Sequence, residues 1–318
     1  MANPKKPRVI AIEEHYSNPD LRATFPANET EPSSLIGERL ADLTNVRLKE
    51  MDEAGIDLQV LSHVSPSAQK LDPESGAALA RRVNDALNET VRSHPDRFAG
   101  FAALPSANPK AAADELERTV TKLGFKGAMI HGLSRGNLFL DDKQFWPIFE
   151  RAQALDVPIY MHPAVPHPAV IEAYYKEYPA MIRAGWGFGV ETATQGLRLI
   201  MSGLFDAYPK LKIILGHLGE GLPFSLWRCD FMLTKLGKLK RPLREVFCEN
   251  FWITTSGNFS FPALQCCMLE LGVDRIMFSV DWPFIDNRQA VEFMANIPVT
   301  REDKEKMLHG TAERLLKL

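Results

Sequence analysis

Short apolar runs recur along the chain at intervals that suit strands covered on both faces. Eight can be marked: Val9–Glu13, Leu58–Ser62, Phe98–Ala103, Gly127–His131, Pro158–His162, Leu211–His217, Phe251–Thr255 and Arg275–Ser279. Between most of them apolar positions repeat with the helical period, over Arg47–Ala54, Gly76–His94, Pro109–Leu123, Phe145–Leu155 and Leu264–Leu271. Gly55, Gly124 and Gly272 each follow one of these stretches, where a C-terminal cap is expected. Alternating strand and helix predict an α/β fold with parallel strands and helices outside, and eight repeats is the number that closes a barrel. No Gly/Ser-rich or Pro-rich linker and no internal repeat interrupts the chain, so a single domain over residues 1–318 is expected.

Two connections are longer than ordinary loops, Tyr16–Thr44 after the first strand and Pro163–Thr192 after the fifth. Loops of this length in compact domains are usually functional, and both would cover the C-terminal mouth of a barrel as lids. They bring Phe25, Tyr174, Tyr175, Trp186 and Phe188 as candidate walls of a pocket.

The polar residues that interrupt the apolar runs carry the chemistry. In Ile214-Leu215-Gly216-His217-Leu218-Gly219-Glu220-Gly221 a buried-strand pattern ends in a histidine, glycines and a carboxylate. Of eight histidines, His15, His63, His131, His162 and His217 end a predicted strand or lie just past one. In a barrel those positions converge on one mouth. The period of two in a strand puts Glu13 and His15 on one face and Glu14 on the other. Adding His162 and Asp281 gives two imidazoles and two carboxylates, a donor set that suits Zn²⁺ or Mn²⁺. His217, with Glu220 three residues on to orient it, is a candidate proton-transfer group beside that metal.

Composition narrows the partner. Lys and Arg number 37 against 40 Asp and Glu, a formal net charge of −3, which offers no footprint for nucleic acid or an anionic membrane and favours a small molecule. The basic start Lys5-Lys6-Pro7-Arg8 precedes too few apolar residues for a signal-peptide core, and no run is long enough to span a bilayer, so a cytoplasmic protein is expected. Cys229, Cys248, Cys266 and Cys267 form no CxxC pair and read as reduced, structural thiols, the adjacent pair on a helix.

Taken in order, Glu13-x-His15, Met51-Asp52-Glu53-Ala54-Gly55-Ile56-Asp57, His94-Pro95-Asp96-Arg97-Phe98, Tyr160-Met161-His162-Pro163, Gly203-Leu204-Phe205-Asp206, Gly216-His217-Leu218-Gly219-Glu220, Thr254-Thr255-Ser256-Gly257 and Phe278-Ser279-Val280-Asp281-Trp282-Pro283-Phe284 cover nearly the whole chain. They resemble the aminocarboxymuconate-semialdehyde decarboxylase-like branch of the amidohydrolase superfamily, and within it the γ-resorcylate (2,6-dihydroxybenzoate) and 2,3-dihydroxybenzoate decarboxylases. The resemblance implies a distorted (β/α)8 TIM barrel, one divalent metal ion per chain, no organic cofactor, and non-oxidative release of CO₂ from an ortho-hydroxybenzoate. It implies Glu13, His15, His162 and Asp281 as metal ligands, with His217 and Glu220 as a catalytic pair. Asp281 is then the first candidate for the acid that protonates the ring, and Arg228 matches an arginine near substrate. A homodimer or homotetramer is implied as well. Glu13-x-His15 replaces the His-x-His of the branch's founding decarboxylase and favours an aromatic acid. His131 stands where the benzoate enzymes commonly have Asn, which marks it as a substrate-side position. The same ligand set also serves a mononuclear hydrolase of a lactone, ester or amide.

Overall fold

The computed structural model of the chain describes residues 7–27, 29–30 and 34–318, with only the backbone at position 34. Lys5 and Lys6 of the basic start, and Asn28 and residues 31–33 of the first long connection, lie outside the described residues.

The strands are β1 (Ile10–Tyr16), β2 (Leu58–His63), β3 (Phe98–Gly100), β4 (Ala102–Ala103), β5 (Ala128–His131), β6 (Ile159–His162), β7 (Ile213–Leu215), β8 (Phe251–Thr254) and β9 (Ile276–Met277). All pair in parallel with their sequence neighbours, in two runs, β1-β2-β3 and β4 to β9. The expected single strand over Phe98–Ala103 is divided at Phe101. There the chain changes partner: Phe101 N–H donates to Leu61 O at 2.9 Å, and Ala102 N–H to Gly127 O at 2.9 Å. The ring closes beyond β9, where Asp281 N–H donates to Glu13 O at 3.1 Å and His15 N–H to Trp282 O at 2.8 Å. This is a distorted (β/α)8 barrel, with a seam made by a stretch that is not itself regular strand.

Alternation along the strands sorts the core into layers. One buried cluster takes Ile10 and Ile12 from β1, Leu58 and Val60 from β2, Ala99 and Phe101, Met129, Tyr160, Ile214 and Met277, with Trp252 packed against it. Contributions at alternate positions from every strand but the two-residue β4 mark the barrel interior. Ala312, Leu315 and Leu316 of the C-terminal helix join the same cluster and cover one end. The outward residues Ala11, Leu61, Ala128, Ile130, Ile159, Met161, Ile213 and Leu215 belong to the larger cluster beneath the helices.

Helices were legible where the apolar period was strong: Val46–Ala54, Gly76–Ser93, Pro109–Leu123, Trp146–Leu155 and Phe261–Leu271, the last holding Cys266 and Cys267. Gly55 and Gly124 are left-handed caps at φ 75° and 76°. Helices over Gly187–Met201, Leu222–Leu236, Leu243–Asn250 and Asn287–Asn296 were not among the expected elements. The first of them begins inside the second expected lid, so that connection ends at Trp186 rather than Thr192. It is built of short turns, Pro168–Val170, Ile171–Tyr175 and Pro179–Ile182. The first lid carries the short helices Pro19–Arg22 and Ser34–Ala41. Among the described residues no helix is long and apolar enough to cross a membrane, and all four cysteines are free.

Candidate active site

Two residues on from the interior apolar layer, each strand turns polar or small. Val60 leads to Ser62, Met129 to His131, Tyr160 to His162, Ile214 to Gly216, Trp252 to Thr254 and Met277 to Ser279. The first strand needs a correction of phase, since strict alternation from Ile10 and Ile12 would turn Glu14 inward. A register shift between Ala11 and Glu14 against β2 supplies it, as a bulge does by inserting one residue. Glu13 and His15 then face the site, and Glu14 faces the seam. The Glu14 carboxylate accepts from Val280 N–H at 2.9 Å, Trp282 N–H at 3.2 Å and Ser279 Oγ at 3.0 Å.

Glu13 is fully buried. Its Oε2 accepts from the hydroxyls of Tyr160 and Ser256, and from Thr254 Oγ1 at 3.3 Å. Those donors fix the carboxylate and leave Oε1 turned to the centre. Gly216 makes room: a Cβ there would lie 2.8 Å from Glu13 Oε2. At the centre, His162 Nε2 is 2.9 Å from Glu13 Oε1. His15 Nε2 is 3.1 Å from Asp281 Oδ1 and 3.1 Å from His162 Nε2. His15 Nδ1 is held by Ser62 Oγ at 3.2 Å.

His217 Nε2 completes the ring at 3.6 Å from both Glu13 Oε1 and Asp281 Oδ2, and its Nδ1 meets Glu220 Oε1 at 2.7 Å. It stands on an unusual turn. His217, Leu218, Gly219, Glu220 and Gly221 have φ of 50°, 56°, 75°, 56° and 78°, a left-handed run in which three residues carry a Cβ. Asp281, at φ 78°, is left-handed too. Side chains in that region cost about 1–2 kcal/mol each and persist where the surroundings over-determine them, often at functional sites.

Electrostatics follow from the crowding. Burial raises the Glu13 carboxyl, but His217, His162 and His15 outweigh it and hold the group far below the usual carboxylate range. Asp281 is likewise raised by loss of water yet lowered overall by His15 and His217. Burial lowers His15 below its ordinary value despite Asp281. His217 goes the other way: burial lowers it, while Glu220, Glu13 and Asp281 carry it well above the usual imidazole value.

The donor set fits a divalent cation. One ligand atom from each of Glu13, His162, His217 and Asp281 lies within 4.8 Å of the others. Glu13 Oε1 and Asp281 Oδ1 are buried and make no hydrogen bond, although an imidazole nitrogen stands near each. Such oxygens are aimed at a shared centre, not at a proton, and buried acceptors are rarely left so without an ion or ordered water. His15 Nε2 borders the same centre.

A cavity of about 560 Å³ opens onto this cluster. His131, His162, His217 and Asp281 form its floor, with Phe188, Phe284 and Pro163 on the walls. Both lids contribute, through Glu29 and through Val165, Arg183 and Ala184, while Phe188 comes from the helix Gly187–Met201 that follows. The other expected walls are elsewhere. Phe25 packs against the cluster of Leu21, Ala68 and Leu71, and Trp186 is 56% exposed outside the cavity. Arg228 is exposed on the helix Leu222–Leu236, also outside it. His63 faces away, its Nδ1 on Val64 O at 2.7 Å. Tyr160, Thr254, Ser256 and Ser62 brace Glu13 and His15; Ser62 and Thr254 sit two residues past the interior layer, the signal that could have found them, whereas Tyr160 lies in that layer and Ser256 beyond the end of β8.

The amidohydrolase family model matches residues 20–318, and the chain belongs to that family. Within it the chain is 43% identical to a γ-resorcylate decarboxylase of Polaromonas sp., over 97% of this chain and 98% of the relative. A solved dihydroxybenzoic acid decarboxylase from Polaromonas sp., with bound manganese and the inhibitor 2-nitroresorcinol, is 43% identical and superposes with a TM-score of 0.91, covering 98% of each chain. A 5-carboxyvanillate decarboxylase from Sphingomonas paucimobilis is 35% identical with a TM-score of 0.93, covering 98% of this chain and 100% of that one.

Proposed function

We propose that the chain is a metal-dependent, non-oxidative decarboxylase of an ortho-hydroxybenzoate, with one Mn²⁺ or Zn²⁺ held by Glu13, His15, His162 and Asp281. The observation that carries the proposal is the pair of buried, unbonded oxygens, Glu13 Oε1 and Asp281 Oδ1, set among imidazole nitrogens, with Asp281 and His162 lining a cavity large enough for a benzoate. When bound, the ion supplies positive charge against which a substrate oxyanion is oriented and stabilised. Relatives that act on γ-resorcylate, and one solved with manganese and a nitroresorcinol, support the substrate class.

Direct loss of CO₂ would leave an unstabilised aryl anion, so the ring carbon bearing the carboxylate takes a proton first. Asp281, at the cavity floor, is the acid placed to give it. His217 Nε2 lies 3.6 Å from Asp281 Oδ2, placed to hand it that proton. The carbon–carbon bond then breaks, its electron pair returns to the ring, and CO₂ leaves. Glu220 keeps the Nδ1 proton of His217 in place, so that Nε2 faces the reaction. Phe188, Phe284 and Pro163 wall the ring and keep water away.

We infer a homo-oligomer as well. The helix Leu222–Leu236 exposes Phe224 at 87%, with Trp227, Phe231 and Leu236, and Trp227 stacks on Phe231 at 5.2 Å. An exposed apolar face of that kind is ordinarily an interface. Arg228 lies exposed on the same helix, outside the cavity of its own chain. Sedimentation at micromolar concentration tests this, and a monomer there would end it.

The direct test is incubation of metal-analysed protein with a panel of ortho-hydroxybenzoates, esters and lactones, following CO₂ and hydrolysis products. CO₂ release from a hydroxybenzoate with inert esters is expected. Hydrolysis without CO₂ would replace the proposal with the hydrolase reading.

A further inference from the structure

His131 ends β5 beside His162, its register partner on β6, and is buried. Both of its ring nitrogens are engaged. Nε2 lies 2.6 Å from the carbonyl oxygen of His63, and Nδ1 lies 2.9 Å from Nδ1 of His162. A carbonyl oxygen only accepts, so Nε2 of His131 carries hydrogen. Nδ1 of His162 also lies 2.7 Å from Pro163 O, so it carries hydrogen too. Two N–H groups cannot face each other at 2.9 Å, and His131 Nδ1 therefore presents its lone pair.

The chain of donors then has one direction. His131 donates to His63 O, and His162 Nδ1–H is shared between Pro163 O and His131. A neutral imidazole carries one N–H, so Nε2 of His162 is bare. That bare nitrogen is the atom 2.9 Å from Glu13 Oε1 and 3.1 Å from His15 Nε2. We infer that His131 is a positioning residue for the metal: it fixes the tautomer and plane of His162, so that the Nε2 lone pair is offered to the ion. Because both of its nitrogens are engaged, His131 presents only ring carbons to the cavity and makes no polar contact with substrate. A ligating histidine held through its other nitrogen is a general device, and loss of such support costs about 10–100-fold in metal affinity.

This inference rests on the proposed metal centre, and the test separates the two. Metal-stripped wild type, His131→Ala and His131→Asn are titrated with Mn²⁺, reading free ion by paramagnetic resonance. His131→Ala is expected to bind about 10–100-fold more weakly. His131→Asn is expected to recover most of that loss, since its Oδ1 can accept from His162 Nδ1 and its Nδ2 can donate to His63 O. In Zn²⁺-loaded wild type carrying ¹⁵N-histidine, His162 should show Nδ1 protonated and Nε2 bound to the metal, a readout that needs no variant to fold. Unchanged affinity in His131→Ala, no recovery in His131→Asn, or zinc on Nδ1 of His162 would each overturn the inference and leave the metal centre standing. A wild type that binds no ion would end both.

Discussion

The end of the first strand and the turn after β7 meet at one cluster but are built in opposite ways. Glu13, Glu14 and His15 lie on extended chain, and each is braced from behind: Glu13 by three hydroxyls, Glu14 by the seam, His15 by Ser62. His217 to Gly221 form a left-handed run, held by Leu218 N–H on Thr254 O at 2.7 Å and His217 N–H on Ser256 Oγ at 3.2 Å. The strand end offers fixed oxygen and nitrogen atoms to a centre, which is what an ion needs. The turn brings in one imidazole from the side with a carboxylate at its back, which is what proton transfer needs. In the proposed reaction the fixed strand end holds charge, and the strained turn moves it.

That division can be broken in graded steps. The largest effect is expected of Glu13→Gln, which should strip most of the ion and turnover with it, because it removes the carboxylate whose Oε1 has no other partner. Elemental analysis checks this, and full metal content would remove Glu13 from the ligands. His217→Asn should keep the ion while kcat falls by about 10²–10⁴-fold, the usual scale for a proton-transfer group. Loss of metal in that variant would move His217 to the strand-end side of the comparison. Glu220→Gln should act only through His217 and lower kcat by about 10–100-fold with KM and metal content unchanged. Gly216→Ala, which drives a methyl group toward Glu13, should lower the unfolding free energy by about 1–3 kcal/mol, the ordinary cost of overpacking. Denaturant melts read this, and unchanged stability would show that the Glu13 carboxylate is free to move.

The same contrast explains what the sequence disclosed. Apolar runs separated by helical periods are local patterns, and they located most strands and the better-patterned helices. Strand-end histidines and carboxylates stood out because such residues seldom end a buried run. The face shared by Glu13 and His15 followed from alternation, but the bulge that turns that face inward depends on pairing with β2 and leaves no mark in β1 alone. Tyr160, Thr254 and Ser256 look like ordinary strand residues until three strands bring them around one carboxylate. The left-handed run was hidden because only Gly219 and Gly221 advertise it, whereas Leu218 would suit a strand or helix equally. Loop position alone points Trp186 and Phe25 to the pocket, and loop position says nothing about the direction a side chain takes.

In the proposed centre Glu13, His15, His162 and Asp281 form the ion's shell and His217 stands outside it. A second set, Glu13, His162, His217 and Asp281, is geometrically close, since His217 Nε2 lies only 3.6 Å from two of the same oxygens. A crystal of the zinc-loaded protein, with the ion located by anomalous scattering, decides between them. One ion per chain is expected, about 2.0–2.2 Å from Glu13 Oε1, His15 Nε2, His162 Nε2 and an Asp281 oxygen, with His217 beyond bonding distance. An ion bound through His217 with His15 excluded would contradict it.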